Sequence, residues 1–109
     1  MVNVGGVKVF PAELEQVALQ YPGVRDCVAF GVPDRDLGEA LAMVVEPHDD
    51  IDLDVSDLRE TMRSKLGTMR APKVILTMIT LPREDSGKIA RRKLKQQYLD
   101  SLVQPKTAA

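Results

Sequence analysis

The stretch VRDCVAFGVPDRDLGEALAMVVE, running from Val24 to Glu46, decides the fold. Its first part, VRDCVAFGV (24–32), is rich in β-branched and apolar residues and reads as a strand. PDRDLGE (33–39) is a cluster of turn formers. ALAMVVE (40–46) then returns as a second, nearly continuous apolar run. Two such runs around one turn predict an antiparallel hairpin, with the intervening residues as a long loop. Gly38 and Asp34 read as turn residues.

Working outward, MVNVGGVKVF (1–10) is β-prone and interrupted by Gly5 and Gly6. That pair predicts a tight hairpin turn or a point where a ligand approaches the backbone. Pro11 suits the first position of a helix, where its missing N–H costs nothing. Leu14, Val17, Ala18 and Tyr21 share one face of that helix, Glu13 lies in its favourable first turn, and YPG ends it.

On the other side, PHDDIDLDVSD (47–57) is an acidic loop leading into a helix capped by Asp54 or Ser56. Leu58, Met62 and Leu66 recur every four residues, and Gly67 is a natural stop. Pro72 keeps Ala71 out of helical angles, and a strand follows from Val74. That strand is expected to lie parallel to its predecessor through a helical crossover. Ser86 is the expected cap of a last helix carrying an apolar stripe of Ile89, Leu94, Tyr98 and Leu102. VQPKTAA (103–109) reads as a flexible tail.

The order is therefore β-α-β-β-α-β-α, an α+β two-layer sandwich: a small three-stranded sheet with helices packed on it, plus a short N-terminal hairpin. At 109 residues there is room for one core and one domain. The net charge of −1, two Phe, two Tyr and no Trp argue against a nucleic-acid surface, although residues 83–95 hold six basic and two acidic side chains. One cysteine, Cys27, excludes an internal disulfide, suits a reducing cytoplasm and reads as a packed thiol. His48 has no partner at ligand spacing, so no metal site is expected. No apolar run approaches the length of a membrane span, and no signal peptide is expected.

Three segments, GGVKVFPAELEQV (5–17), YPGVRDCVAFGVPDRDLGEALAMVV (21–45) and APKVILTMITLPREDSGKIARRKL (71–94), together resemble the C-terminal domain of the adenylate-forming enzymes. The wording is most like that of acyl-CoA synthetases. The resemblance spans residues 2 to 95, and its most specific element is Pro82-Arg83 followed by Ser86-Gly87-Lys88-Ile89 and Arg91. It implies a lid, residues 1–109 with the hairpin of 1–10 next to the hinge, that swings over a large N-terminal adenylation domain. ATP and CoA would be the substrates, with Mg2+ held by that larger domain and the lid inactive alone.

By the same resemblance Lys88 completes the adenylation site, and Gly87 lets its loop approach the substrate closely. Gly5 and Gly6 line the passage of the CoA pantetheine arm. Lys8 and Arg91 are candidates for CoA phosphates, with a solvent-facing lysine and a contact to the larger domain as their ordinary alternatives. Glu13, Glu15, Asp34, Arg35, Gly38 and Glu39 also match family positions without an assigned chemistry.

An ammonium suits adenylation because negative charge grows on the phosphoryl oxygens as a carboxylate attacks the α-phosphorus. Considered alone, Lys88 is an ordinary exposed loop lysine; the flanking motifs give it its role. Two departures stand out. Glu84 occupies a position where the family commonly has Thr, and it is a candidate partner for Arg83 or Arg92. The hinge acid would fall before Met1, so the chain reads as an excised lid or one part of a split enzyme. Loading of a carrier protein, a small nucleic-acid-binding module and a free-standing interaction domain are the competing functions.

Overall fold

In a computed structural model, residues 1–103 are described; of the expected tail, 104–109 lie outside them. The elements are β1 (Val2–Val4), β2 (Val7–Val9), α1 (Pro11–Leu19), β3 (Val24–Asp34), β4 (Gly38–Pro47), α2 (Val55–Leu66), β5 (Val74–Thr77) and α3 (Arg91–Val103). The α+β class and the element order follow the sequence reading.

β3 and β4 form the antiparallel hairpin at the centre, with Val28 opposite Val44 and Phe30 opposite Ala42. The loop between them is short, because Pro33, Asp34, Gly38 and Glu39 belong to the strands. Asp34 makes this possible. Its Oδ1 accepts from the N–H groups of Asp36 and Leu37, and its Oδ2 accepts from Lys73 Nζ. Those hydrogen bonds hold the Asp34 carboxyl below its ordinary pKa.

Alternate side chains of a strand point to opposite faces, and here both sets are apolar. Cys27, Ala29, Leu41, Met43 and Val45 meet Leu14 and Ala18 of α1, Leu58 and Met62 of α2, and Val2, Val4 and Val9 of the hairpin. Val28, Phe30, Val32, Ala40, Ala42 and Val44 meet Leu81 and Leu94, with Ile89 and Tyr98 packed alongside. The rings of Phe30 and Tyr98 stand edge to face at 6.1 Å. Helices therefore cover both faces, and the expected two layers become three. A sheet whose alternate residues are apolar on both sides has no face to leave in water.

β5 runs parallel to β4, from Ala42↔Val74 to Val45↔Thr77, as the crossover through α2 requires. β1 joins β4 at Val4↔Gly38. Since β3 occupies one edge of β4 along its length, β1 and β5 share the other edge end to end. The N-terminal hairpin thus extends the expected three-stranded sheet to five strands. Asp54, not Ser56, caps α2 by accepting from Asp57 N–H at 3.0 Å, and Gly67 ends it with φ +89°.

Candidate functional site

The SGK segment is a small hairpin, not the start of a helix. Ala90 N–H donates to Pro82 O at 2.9 Å, Glu84 N–H to Lys88 O at 2.7 Å, and Gly87 N–H to Glu84 O at 2.8 Å. Arg83 and Ile89 face each other as a bridge. This is a three-residue loop whose last residue takes positive φ, and Gly87 supplies it at +90°. Ser86 sits in that loop and does not cap α3, which begins at Arg91. The stripe of α3 holds as expected at Leu94 and Tyr98; Ile89 joins the same cluster from outside the helix, and the Leu102 side chain lies outside what is described.

Lys88 follows Gly87 directly and is exposed. Among the described residues its ammonium has no carboxylate partner, in contrast to the arginines on either side. Arg83 Nη2 meets Asp26 Oδ2 at 2.6 Å while its Nη1 donates to Gly87 O at 3.2 Å. Glu84 is therefore not the partner of Arg83. Arg91 Nη1 donates to Ala29 O at 2.8 Å and its Nη2 pairs with Glu15 at 2.9 Å. Glu15 in turn accepts from Ala29 N–H at 2.8 Å. Together Glu15 and Arg91 satisfy both backbone groups that Ala29 turns outward from the edge strand β3.

The approach to this hairpin is fixed as well. Glu46, the buried carboxylate at the end of β4, accepts from Leu81 N–H at 2.8 Å, with Arg25 3.7 Å from its other oxygen. A groove runs between β3, α1 and the start of α3, lined by Glu15, Asp26, Arg83, Lys88 and Arg92. With Arg83 and Arg91 paired, its remaining cations are Lys88, Arg92, Lys93 and Lys95, set against Glu39 and Glu84.

Cys27 also borders the groove, but its thiol is buried and donates to Glu15 O at 3.6 Å. Burial, with the charges of Glu15 and Asp26, pushes its pKa up to about 12. Roughly 10⁻⁴ of it is ionised at pH 8, against about a quarter of an ordinary thiol. A thiol reagent at pH 8 is expected to label one equivalent in denaturant and essentially none in the folded chain; rapid labelling without denaturant would contradict the packing described.

The other candidate residues lie elsewhere. Gly5 and Gly6 form the two-residue turn of β1–β2, with φ of +57° and +91°. Gly5 N–H donates to Leu37 O at 2.9 Å, and a side chain there would meet Met69 and Leu37. Gly6 N–H donates to Asn3 Oδ1, and a Cβ there would meet none of the described residues. Lys8 is exposed on β2; its carbonyl is 3.5 Å from Arg70. The Gly-Gly turn thus stands at the Asp34 end of the central hairpin and the Lys88 loop at the Asp26 end. Eight steps along β3, from Asp26 to Asp34, separate those ends, roughly 26 Å. Arg91, offered by the sequence for CoA phosphates, is half-exposed, with its guanidinium meeting Ala29 O and Glu15. Glu46 and the pairings of Asp26 and Glu15 were not legible locally; a lone acid inside an apolar strand, as Asp26 is, was the available signal.

Residues 13–88 match the family model described as the AMP-binding enzyme C-terminal domain. The chain belongs to that family. Among curated members it is 35% identical over 100 residues to the oxalate–CoA ligase of Arabidopsis thaliana, covering 92% of this chain and 20% of that protein. It is 33% identical over 98 residues to the long-chain-fatty-acid–CoA ligase FadD13 of Mycobacterium tuberculosis, covering 90% and 19%. A solved structure of a Mycobacterium tuberculosis fatty acyl CoA synthetase superposes with a TM-score of 0.84 at 31% identity, covering 93% of this chain and 20% of that one. This member of the AMP-binding C-terminal family therefore spans about a fifth of the length of the relatives it matches. The family match ends on Lys88.

Among the described residues no three His, Cys, Asp or Glu side chains converge as a metal site, so no step is assigned to Mg2+ on this chain. Likewise, no described helix is long and apolar enough to cross a membrane.

Proposed function

We propose that this chain is the lid of an AMP-forming acyl-CoA synthetase. In this reading a carboxylate and ATP react in a larger adenylation domain to give acyl-AMP and pyrophosphate. CoA thiol then displaces AMP to give the thioester. The observation that carries the reading is the placement of two distinct elements at opposite ends of one rigid hairpin. Lys88 is a cation with no carboxylate partner among the described residues, on an anchored loop at one end, and the Gly5–Gly6 turn is a side-chain-free surface at the other.

In adenylation, Lys88 lies against the carboxylate and the phosphoryl oxygens, where charge develops. A compact ammonium on a flexible stem can follow those atoms as the bond forms. In thioester formation, the Gly-Gly turn faces the site and gives the pantetheine arm a narrow passage. Elements at opposite ends of a strand pair whose span is roughly 26 Å cannot serve one small site in one orientation of a rigid domain. The lid would therefore turn between steps about a hinge preceding β1. Arg92, Lys93 and Lys95 add favourable charge for polyphosphate substrates, and their positions suit either ATP or the CoA nucleotide.

Gly6→Ala tests the second half of this reading. The new methyl meets none of the described residues, but at φ +91° any side chain is strained, so an intact first half-reaction serves as the control for the fold. In the intact ligase, transfer from supplied acyl-AMP to CoA is expected to slow by ~10²-fold, with ATP-dependent acyl-adenylate formation nearly unchanged. Equal losses in both half-reactions would sink the assignment.

A further inference from the structure

We infer that Arg83 is a positioning residue for Lys88, with Asp26 as its anchor. This rests on the proposed role of Lys88 but concerns a different group. The guanidinium of Arg83 is shared between two acceptors: the carboxylate of Asp26 on β3, 2.6 Å away, and the carbonyl of Gly87, 3.2 Å away. Gly87 immediately precedes Lys88, so the peptide linking those two residues is tied through one planar group to the edge of the central sheet. Asp26 is itself oriented, because its Oδ1 accepts from Cys27 N–H at 2.9 Å.

The chemistry of the fork explains why arginine is used. Its donors diverge in one rigid plane and can hold a carboxylate and a carbonyl at once; an ammonium presents a single point. Without the fork, the loop of Asp85, Ser86 and Gly87 keeps only its own backbone hydrogen bonds. It stands in solvent, and the glycine adds backbone freedom. The far foot of the hairpin is held separately by Arg91 on Ala29 O and Glu15. Losing Arg83 therefore loosens the tip that bears Lys88 without freeing α3.

Two measurements on Arg83→Ala and Asp26→Asn test this. The first needs only this chain: backbone order parameters from 15N relaxation. The amides of Gly87 and Lys88 are expected near ~0.85 in the natural sequence and below about 0.6 in both variants, with β3 and α3 unchanged. Unaltered order at 87 and 88 would overturn the clamp. The second is a double-mutant cycle in the intact ligase. Arg83→Ala alone lowers kcat for acyl-adenylate formation by ~10–100-fold with KM for ATP nearly constant. Added to Lys88→Ala it lowers kcat no further, since it acts only through that ammonium. Additive losses would show an independent role and refute the inference. If instead Lys88→Ala alone leaves adenylation intact, the proposed function fails, and the order parameters still decide whether Arg83 holds the loop.

Discussion

Replacing Lys88 with alanine in the intact ligase is expected to slow acyl-adenylate formation by ~10²–10³-fold, about 3–4 kcal/mol, the usual cost of losing one preorganised charge-stabilising group. The loss should appear in kcat more than in KM for ATP, because the cation acts on charge that grows in the transition state. Acyl transfer from supplied acyl-AMP should continue at nearly its normal rate, since the proposed function gives that step to the opposite end of the domain. Pyrophosphate exchange and single-turnover thioester formation separate the two. The fold is not at risk: Lys88 is exposed, and among the described residues it bonds to the loop through its backbone carbonyl. A Lys88→Ala enzyme with normal adenylation would end the proposed function.

The largest effect on the fold itself is expected at Leu41. It lies at the middle of β4, almost fully buried, on the face that meets α1 and α2. Leu41→Ala removes buried methyl groups and leaves a cavity between two helices and a sheet that cannot all close on it. The expected cost is about 2–5 kcal/mol. In a domain of this size the total stability is roughly 5–15 kcal/mol, so the melting midpoint should fall by roughly 10–20 °C. Denaturant melts on both proteins check this. A shift below about 0.5 kcal/mol would mean that Leu41 is not in the core described.

The central hairpin was readable because Val24–Val32 and Ala40–Glu46 are two apolar runs around an unmistakable turn. Its tightness was not. Asp34 collects two N–H groups and Lys73, and only the fold brings Lys73 there. The number of layers was hidden for a related reason. A run apolar at every position shows that both faces are buried but not by what, and α3 lies far along the chain from the residues it covers. Gly5 and Gly6 were recognisable as a turn because φ must be positive there. Ser86 misled, since a serine shortly before a helical stretch resembles a cap. The pairing of Glu84 N–H with Lys88 O draws it into a loop instead. The sequence singles out Lys88 by its motif, but the partners of Arg91 were not legible, because the atoms that meet its guanidinium come from α1 and β3.

The way Ala29 is treated has a bearing on solubility. A strand at the margin of a sheet ordinarily offers its unpaired amides and carbonyls to any similar strand. Here Glu15 and Arg91 stopper those groups from the side, midway along the margin. Two copies of the domain cannot zip together along that seam without first displacing a carboxylate and a guanidinium from each other. In the proposed role of a moving lid, the domain is thereby spared one route to aggregation whenever it stands apart from its partner.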